Sequence, residues 1–212
     1  MCISENVSLL AFIVCTITCI YLYKRNNQND RWISIAFGYL GSMQLLEYLM
    51  WKDQKCKGLN QFATNLGFIH NILQPVMSIL LAYYFTKGKI PTYIYFIFFL
   101  YLTTSLPQII KKKKYNQCSL PCNNGEVGLS WEYTNTKYPT YVWGLFCIAL
   151  FLPFLTMKGN GKVYAYILLG LYIIAHFISI NRCPKNKGSP PNGSWWCMMA
   201  AFVPLAAIQI NK

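Results

Sequence analysis

The sequence predicts an all-α fold, a polytopic bundle of seven transmembrane helices with a small extramembrane loop or hairpin between spans four and five. Three observations predict it. The chain is 55% hydrophobic and 17% aromatic. Only 12% of its residues are charged, about half the ~25% of an average soluble domain. Long apolar runs alternate with short basic loops, the pattern of a chain that crosses a bilayer repeatedly.

The spans form one domain over residues 1–212: Val7–Tyr23, Trp32–Trp51, Gln61–Phe85, Pro91–Ile110, Pro139–Met157, Lys162–Ile180 and Gly193–Ile210. Each covers a ~30 Å hydrocarbon core at about 1.5 Å per residue. The first has neither a basic stretch before it nor a small-residue cleavage site after it, and reads as a helix rather than a signal peptide. The second holds the one carboxylate inside a span, Glu47 in GSMQLLEYLMW. The third carries a polar stripe, Gly67, His70, Asn71, Gln74 and Ser78, at helical spacing. The fourth ends in TTSLPQ. Residues 111–138 hold KKKK and two cysteines, and NNG followed by GEVGLSWEY predicts a small hairpin at the membrane surface. The fifth opens with Tyr141 and Trp143, the sixth contains His176, and the seventh begins GSWWC. Pro75, Pro107, Pro153 and Pro204 are expected as kinks, which membrane helices tolerate. The tryptophans lie near span ends, where an aromatic belt is expected.

The formal charge of +13 sits in the loops. Lysines so placed anchor helix ends and meet anionic lipid headgroups, and no separate basic face offers itself to nucleic acid. Of the 19 lysines and arginines, eleven follow spans two, four and six, which favours a cytoplasmic N-terminus. The first span opposes this, with Glu5 before it and Lys24, Arg25 and Arg31 after it. The loop cysteines Cys56, Cys118, Cys122 and Cys183 fall on the N-terminal side, as do the sequons at Asn6 and Asn192. An even cysteine set on one face points to an oxidising compartment. The N-terminus is therefore expected outside or in a lumen, with those four cysteines as disulfide candidates in any of three pairings.

With that orientation the polar residues gather in the outer half of the bundle, a cup with a greasy floor. A carboxylate in hydrocarbon costs several kcal/mol unless neutralised, paired or wet. Glu47 is thus expected to face His70 or His176, with Gln44, Asn71 and Gln74 orienting a small ligand or ion. The plainer reading of the amides is interhelical glue, worth about 0.6 kcal/mol each.

Three families share parts of this pattern. SLPQII before KKKK resembles the Pro-Gln turn of seven-span sugar and amino-acid carriers, at the end of the fourth span rather than within the first and fifth. Rhodopsins share the seven spans, but span seven has no lysine for a retinal Schiff base. The E-x-x-x-W of span two, H-N-x-x-Q-P of span three and G-S-x-W-C of span seven resemble seven-span proteins encoded by large DNA viruses of algae and protists, with which the AT-rich codon usage implied by abundant Lys, Asn and Ile agrees. That resemblance implies no activity.

The expectation is a transporter, channel or receptor-like protein binding a small ligand or ion. One alternative is a non-catalytic structural or viral membrane component. The other is an intramembrane hydrolase with zinc on Glu47, His70 and His176. His70 lies about one turn too deep for the zinc set, so neither a metal nor a cofactor is expected.

Overall fold

The computed structural model describes residues 4–110, 118–121, 129–130, 140–182 and 192–211. The fold is all-α: α1 (Glu5–Arg25), α2 (Gln28–Lys52), α3 (Leu59–Phe85), α4 (Thr92–Ile110), α5 (Thr140–Phe151), α6 (Gly161–Arg182), α7 (Asn192–Ala200) and α8 (Val203–Ile210). A two-stranded antiparallel pair, β1 (Leu120–Pro121) with β2 (Leu129–Ser130), stands where the hairpin was expected. The turn between the strands, along with Trp131, Cys122 and Cys183, lies outside the described residues.

Local chemistry sets the helix ends. α1 stops at Asn26, which takes a left-handed conformation (φ 64°) and donates its N–H to Tyr23 O. Asn27 then caps α2 by accepting from the Asn29 N–H, so two residues join the first two helices. α3 starts after Gly58, whose φ of 125° a side chain would resist. Pro75 and Pro107 stay inside continuous helices. Pro153 and Pro204 do more than kink. α5 passes at Leu152–Thr156 into a 3₁₀ turn with Pro153 at its start, and span seven breaks between Ala200 and Val203. Proline lacks an N–H and crowds the carbonyl four residues back, which for Pro204 is that of Ala200, the last residue of α7.

α2 is the hub, packed against α1, α3, α7 and α8. Small residues let α1 approach closely. A Cβ at Gly41 would run into the Cys15 sulfur and come within 3.2 Å of Cys15 Cβ. Ser34 Oγ donates to Cys19 O at 2.7 Å across the same seam. Cys15 and Cys19 are free and buried.

The outward faces are apolar. Leu66, Ile69 and Leu73 on α3, Phe96 and Phe99 on α4, and Tyr166, Ile173 and Phe177 on α6 are all exposed. An apolar surface of that extent belongs against lipid rather than water. Among the described residues, α1, α3, residues 161–179 of α6 and residues 193–210 are long and apolar enough to cross a membrane.

The bundle has two ends. At one, the α2–α3 loop meets the segment before β1 through the disulfide Cys56–Cys118. We call this the disulfide face. Protease digestion without reductant is expected to release a linked peptide pair carrying Cys56 and Cys118; either cysteine alkylated in unreduced protein would contradict the fold. At the other end Arg25, Asp30, Asn160, Tyr164 and Asn211 interlock. We call this the clasp face.

Candidate functional site

Glu47 lies in the interior with 0% exposure, as does Gln44. One turn apart on α2, they meet directly, Gln44 Nε2 donating to Glu47 Oε2 at 2.7 Å. α3 contributes Gln74, whose amide donates to Asn71 Oδ1 at 2.9 Å and lies 3.4 Å from His70 Nδ1. α7, which packs against α2, contributes Cys197, 1% exposed, which shares a cavity wall with Gln74 and Asn71. α2, which carries Glu47, thus packs against both α3 and α7, the helices that carry Gln74, Asn71 and Cys197.

The sequence did not single out Cys197. Its only signal was the polar opening of span seven, GSWWC, whose cysteine falls one turn below Gly193.

The histidines take other places. His70 stacks on Tyr39 with centroids 4.2 Å apart and planes 7° apart, and its Nε2 lies 2.8 Å from both Ser42 Oγ and Tyr39 O. It joins α2 to α3, and reaches the site only through Gln74. His176 is on the exposed side of α6, where its ring lies against Tyr172 and Phe177. It was expected level with Glu47, and depth alone fixed that expectation. A helix rotates 100° per residue, and the buried face of α6 passes instead through Tyr164, Leu168, Ala175 and Ser179. His176 therefore points away from the core. Among the described residues no three of His, Cys, Asp and Glu are grouped to hold a metal ion.

Two cavities adjoin the site. The inner one, about 20 Å³, is bounded by Asn71, Gln74, Trp196 and Cys197. The outer one, about 40 Å³, lies between α3, α4 and α5 and is bounded by Asn71, Tyr101 and Ser105. Trp143 and Phe146 line both. A water needs about 10–15 Å³ measured this way, so the cavities have room for waters or a small ion. Gln74 Oε1 and Trp196 Nε1 are buried without a protein partner, an acceptor and a donor bordering the inner cavity.

Towards the clasp face the interior is aromatic. Phe37 packs on Phe154 at 6.0 Å, and Trp32 on Phe154 at 6.3 Å and Phe85 at 5.5 Å. This is the greasy floor. Trp32, expected in an interfacial belt, is 1% exposed and belongs to it.

The disulfide face carries a second polar centre. Asn60, 0% exposed, donates to Met50 O (2.9 Å) and Ser119 O (3.0 Å), and accepts from Ser119 N (2.9 Å) and Thr64 Oγ1 (3.0 Å). Asp53 accepts from the Lys57 and Asn60 N–H groups, which hold its carboxyl below the usual carboxylate range. Both sequon serines are 0% exposed, Ser8 within α1 and Ser194 within α7, so the sequons lie in helices rather than accessible loops.

No family model, curated protein or solved structure matches this chain.

Proposed function

We propose that the chain is a seven-pass membrane protein in which Glu47 and its neighbours bind a proton or small monovalent cation, in a transporter, channel or receptor-like role. α1 to α4, α5 with its 3₁₀ turn, α6, and the α7–α8 pair run alternately between the two faces, which supports seven passes. The disulfide favours an oxidising compartment on its face, and hence an N-terminus outside or in a lumen. The basic loops are suited to anionic lipid.

The observation that carries the reading is the wholly buried Glu47 carboxylate on the central helix, which packs against the α3 and α7 residues that line cavities of water size. A carboxylate kept from bulk water is held by a proton, a cation or hydrogen-bond donors. Gln44 supplies one donor, while Gln44 Oε1 and Gln74 Oε1 are buried oxygens with no protein donor. Carboxylate and amide oxygens are the ligands of hard cations. Cavities of about 40 and 20 Å³ fall far below the ~300 Å³ at which small-molecule pockets begin, so an ion fits better than an organic ligand.

Thermal unfolding in detergent tests this. Wild-type protein is expected to melt higher in one alkali-metal chloride than in choline chloride, or higher at acid pH. A ligand at a hundredfold its Kd adds about 2.7 kcal/mol. Glu47→Gln keeps the shape, removes the charge, and should abolish that dependence while still folding. A wild-type melting temperature indifferent to cation and pH, or a dependence surviving in Glu47→Gln, refutes the assignment and leaves a structural membrane component.

A further inference from the structure

We infer that the proton or cation reaches Glu47 from the side of the bundle, through the outer cavity between α3, α4 and α5, and that Trp143 and Phe146 form the gate between that cavity and the inner one. The inference rests on Glu47 as the ion site and adds its entrance.

Six observations support it. The outer cavity is near the disulfide face: Val142, in its wall, is two residues from the start of α5, and Ser105 five from the end of α4. Asn71 borders both cavities, so a polar group is continuous from one to the other. Trp143 and Phe146 also border both, and their rings meet edge to face at 5.7 Å with 79° between planes. Beyond them, the partnerless Gln74 Oε1 and Trp196 Nε1 offer an acceptor and a donor to a water or hydrated ion. Cys197 closes the inner cavity on α7, which packs against the helix that carries Glu47. The opposite approach is blocked by Phe37, Phe154 and Trp32. Two aromatic rings shared by the walls of both cavities form the barrier between them.

Cys197 reports on this path. It is a free thiol in the wall of the inner cavity, while Cys15, in the α1–α2 seam, is off the path. Intact protein in detergent is exposed to the small cationic thiol reagent methanethiosulfonate ethylammonium, and modification at each cysteine is followed by peptide mass spectrometry. Phe146→Ala is expected to speed modification of Cys197 at least tenfold without changing Cys15. Ser105→Phe, which fills the outer cavity, is expected to slow it at least tenfold. An unchanged Cys197 rate in either variant overturns the route. If Phe146→Ala exposes Cys15 as well, the variant has loosened globally and Ser105→Phe decides by the same criterion. Gated labelling of Cys197 in a protein whose melting temperature ignores cations and pH would keep the passage and remove the ion; the reverse pair of results would keep the ion and remove the passage.

Discussion

Arg25→Ala is expected to lower the stability of the folded chain by about 3–5 kcal/mol, the cost of breaking a buried ion pair from one side. Arg25 Nε lies 2.9 Å from Asp30 Oδ2, and its two terminal nitrogens donate to Ile208 O and Asn211 O at 3.0 Å. One guanidinium therefore joins the end of α1, the start of α2 and the last turn of α8. The carbonyls at a helix C-terminus lack partners within the helix, and a cation there satisfies them and complements the helix dipole. Asn211 Nδ2 donates to Asp30 Oδ1 at 2.8 Å, and Tyr164 OH to Asn211 Oδ1 at 3.0 Å. Removing Arg25 leaves Asp30, which is 0% exposed, with the Asn211 amide alone. Arg25→Lys should recover only part of the loss, because one ammonium cannot span three acceptors in a plane. Pairing Arg25→Leu with Asp30→Leu should recover more. Denaturant titration in detergent measures all three; a loss below about 1 kcal/mol for Arg25→Ala would show that water replaces the guanidinium.

Asn60→Ala should cost about 2 kcal/mol and also make the Cys56–Cys118 disulfide easier to reduce. The substitution strands Ser119 O in a buried place, at about 1–3 kcal/mol, while Met50 O keeps the Gln54 amide and Ser119 N keeps Thr64 Oγ1. Ser119 follows Cys118 directly, so Asn60 holds one half-cystine at its partner. Asn60→Asp retains the acceptor for Ser119 N but loses both donations, and should fall between alanine and wild type only at acid pH, where the new carboxyl is neutral. Reduction kinetics and thermal melting on the same samples separate the two effects. A normal reduction rate in a destabilised Asn60→Ala would mean that the disulfide is positioned without Asn60.

The helices were legible because hydropathy and turn chemistry are local. Asn26–Asn27 and Gly58 mark ends that need only their neighbours. Hydropathy also gave the depth of Glu47 and Gln44, and the stripe on α3 gave the face of Gln74 and Asn71. Direction around a helix was legible only where polar residues broke the pattern. α6 is apolar nearly all round, so nothing in its sequence says which way His176 points. The clasp was invisible for a different reason. Arg25, Asp30 and Asn211 each look like an ordinary helix-end residue, and only the tertiary fold brings positions more than 180 residues apart into one network. Likewise, proline marks a weak point in a helix, but packing decides whether the helix continues, as at Pro75, or breaks, as at Pro204.

The central position of α2 has a consequence for biogenesis. In the seven-pass reading, this helix enters a membrane carrying Asp30 and Arg31 near its start and Gln44 and Glu47 nearer its end, and it is not among the helices long and apolar enough to span by themselves. α2 alone is a poor candidate for insertion. α1 precedes it by two linking residues, is apolar enough to span, and brings both Arg25 for Asp30 and the small-residue seam at Cys15 and Cys19. On the seven-pass reading, the two would enter as a helical hairpin, already paired, with α1 acting as an intramolecular chaperone for the helix that bears Glu47.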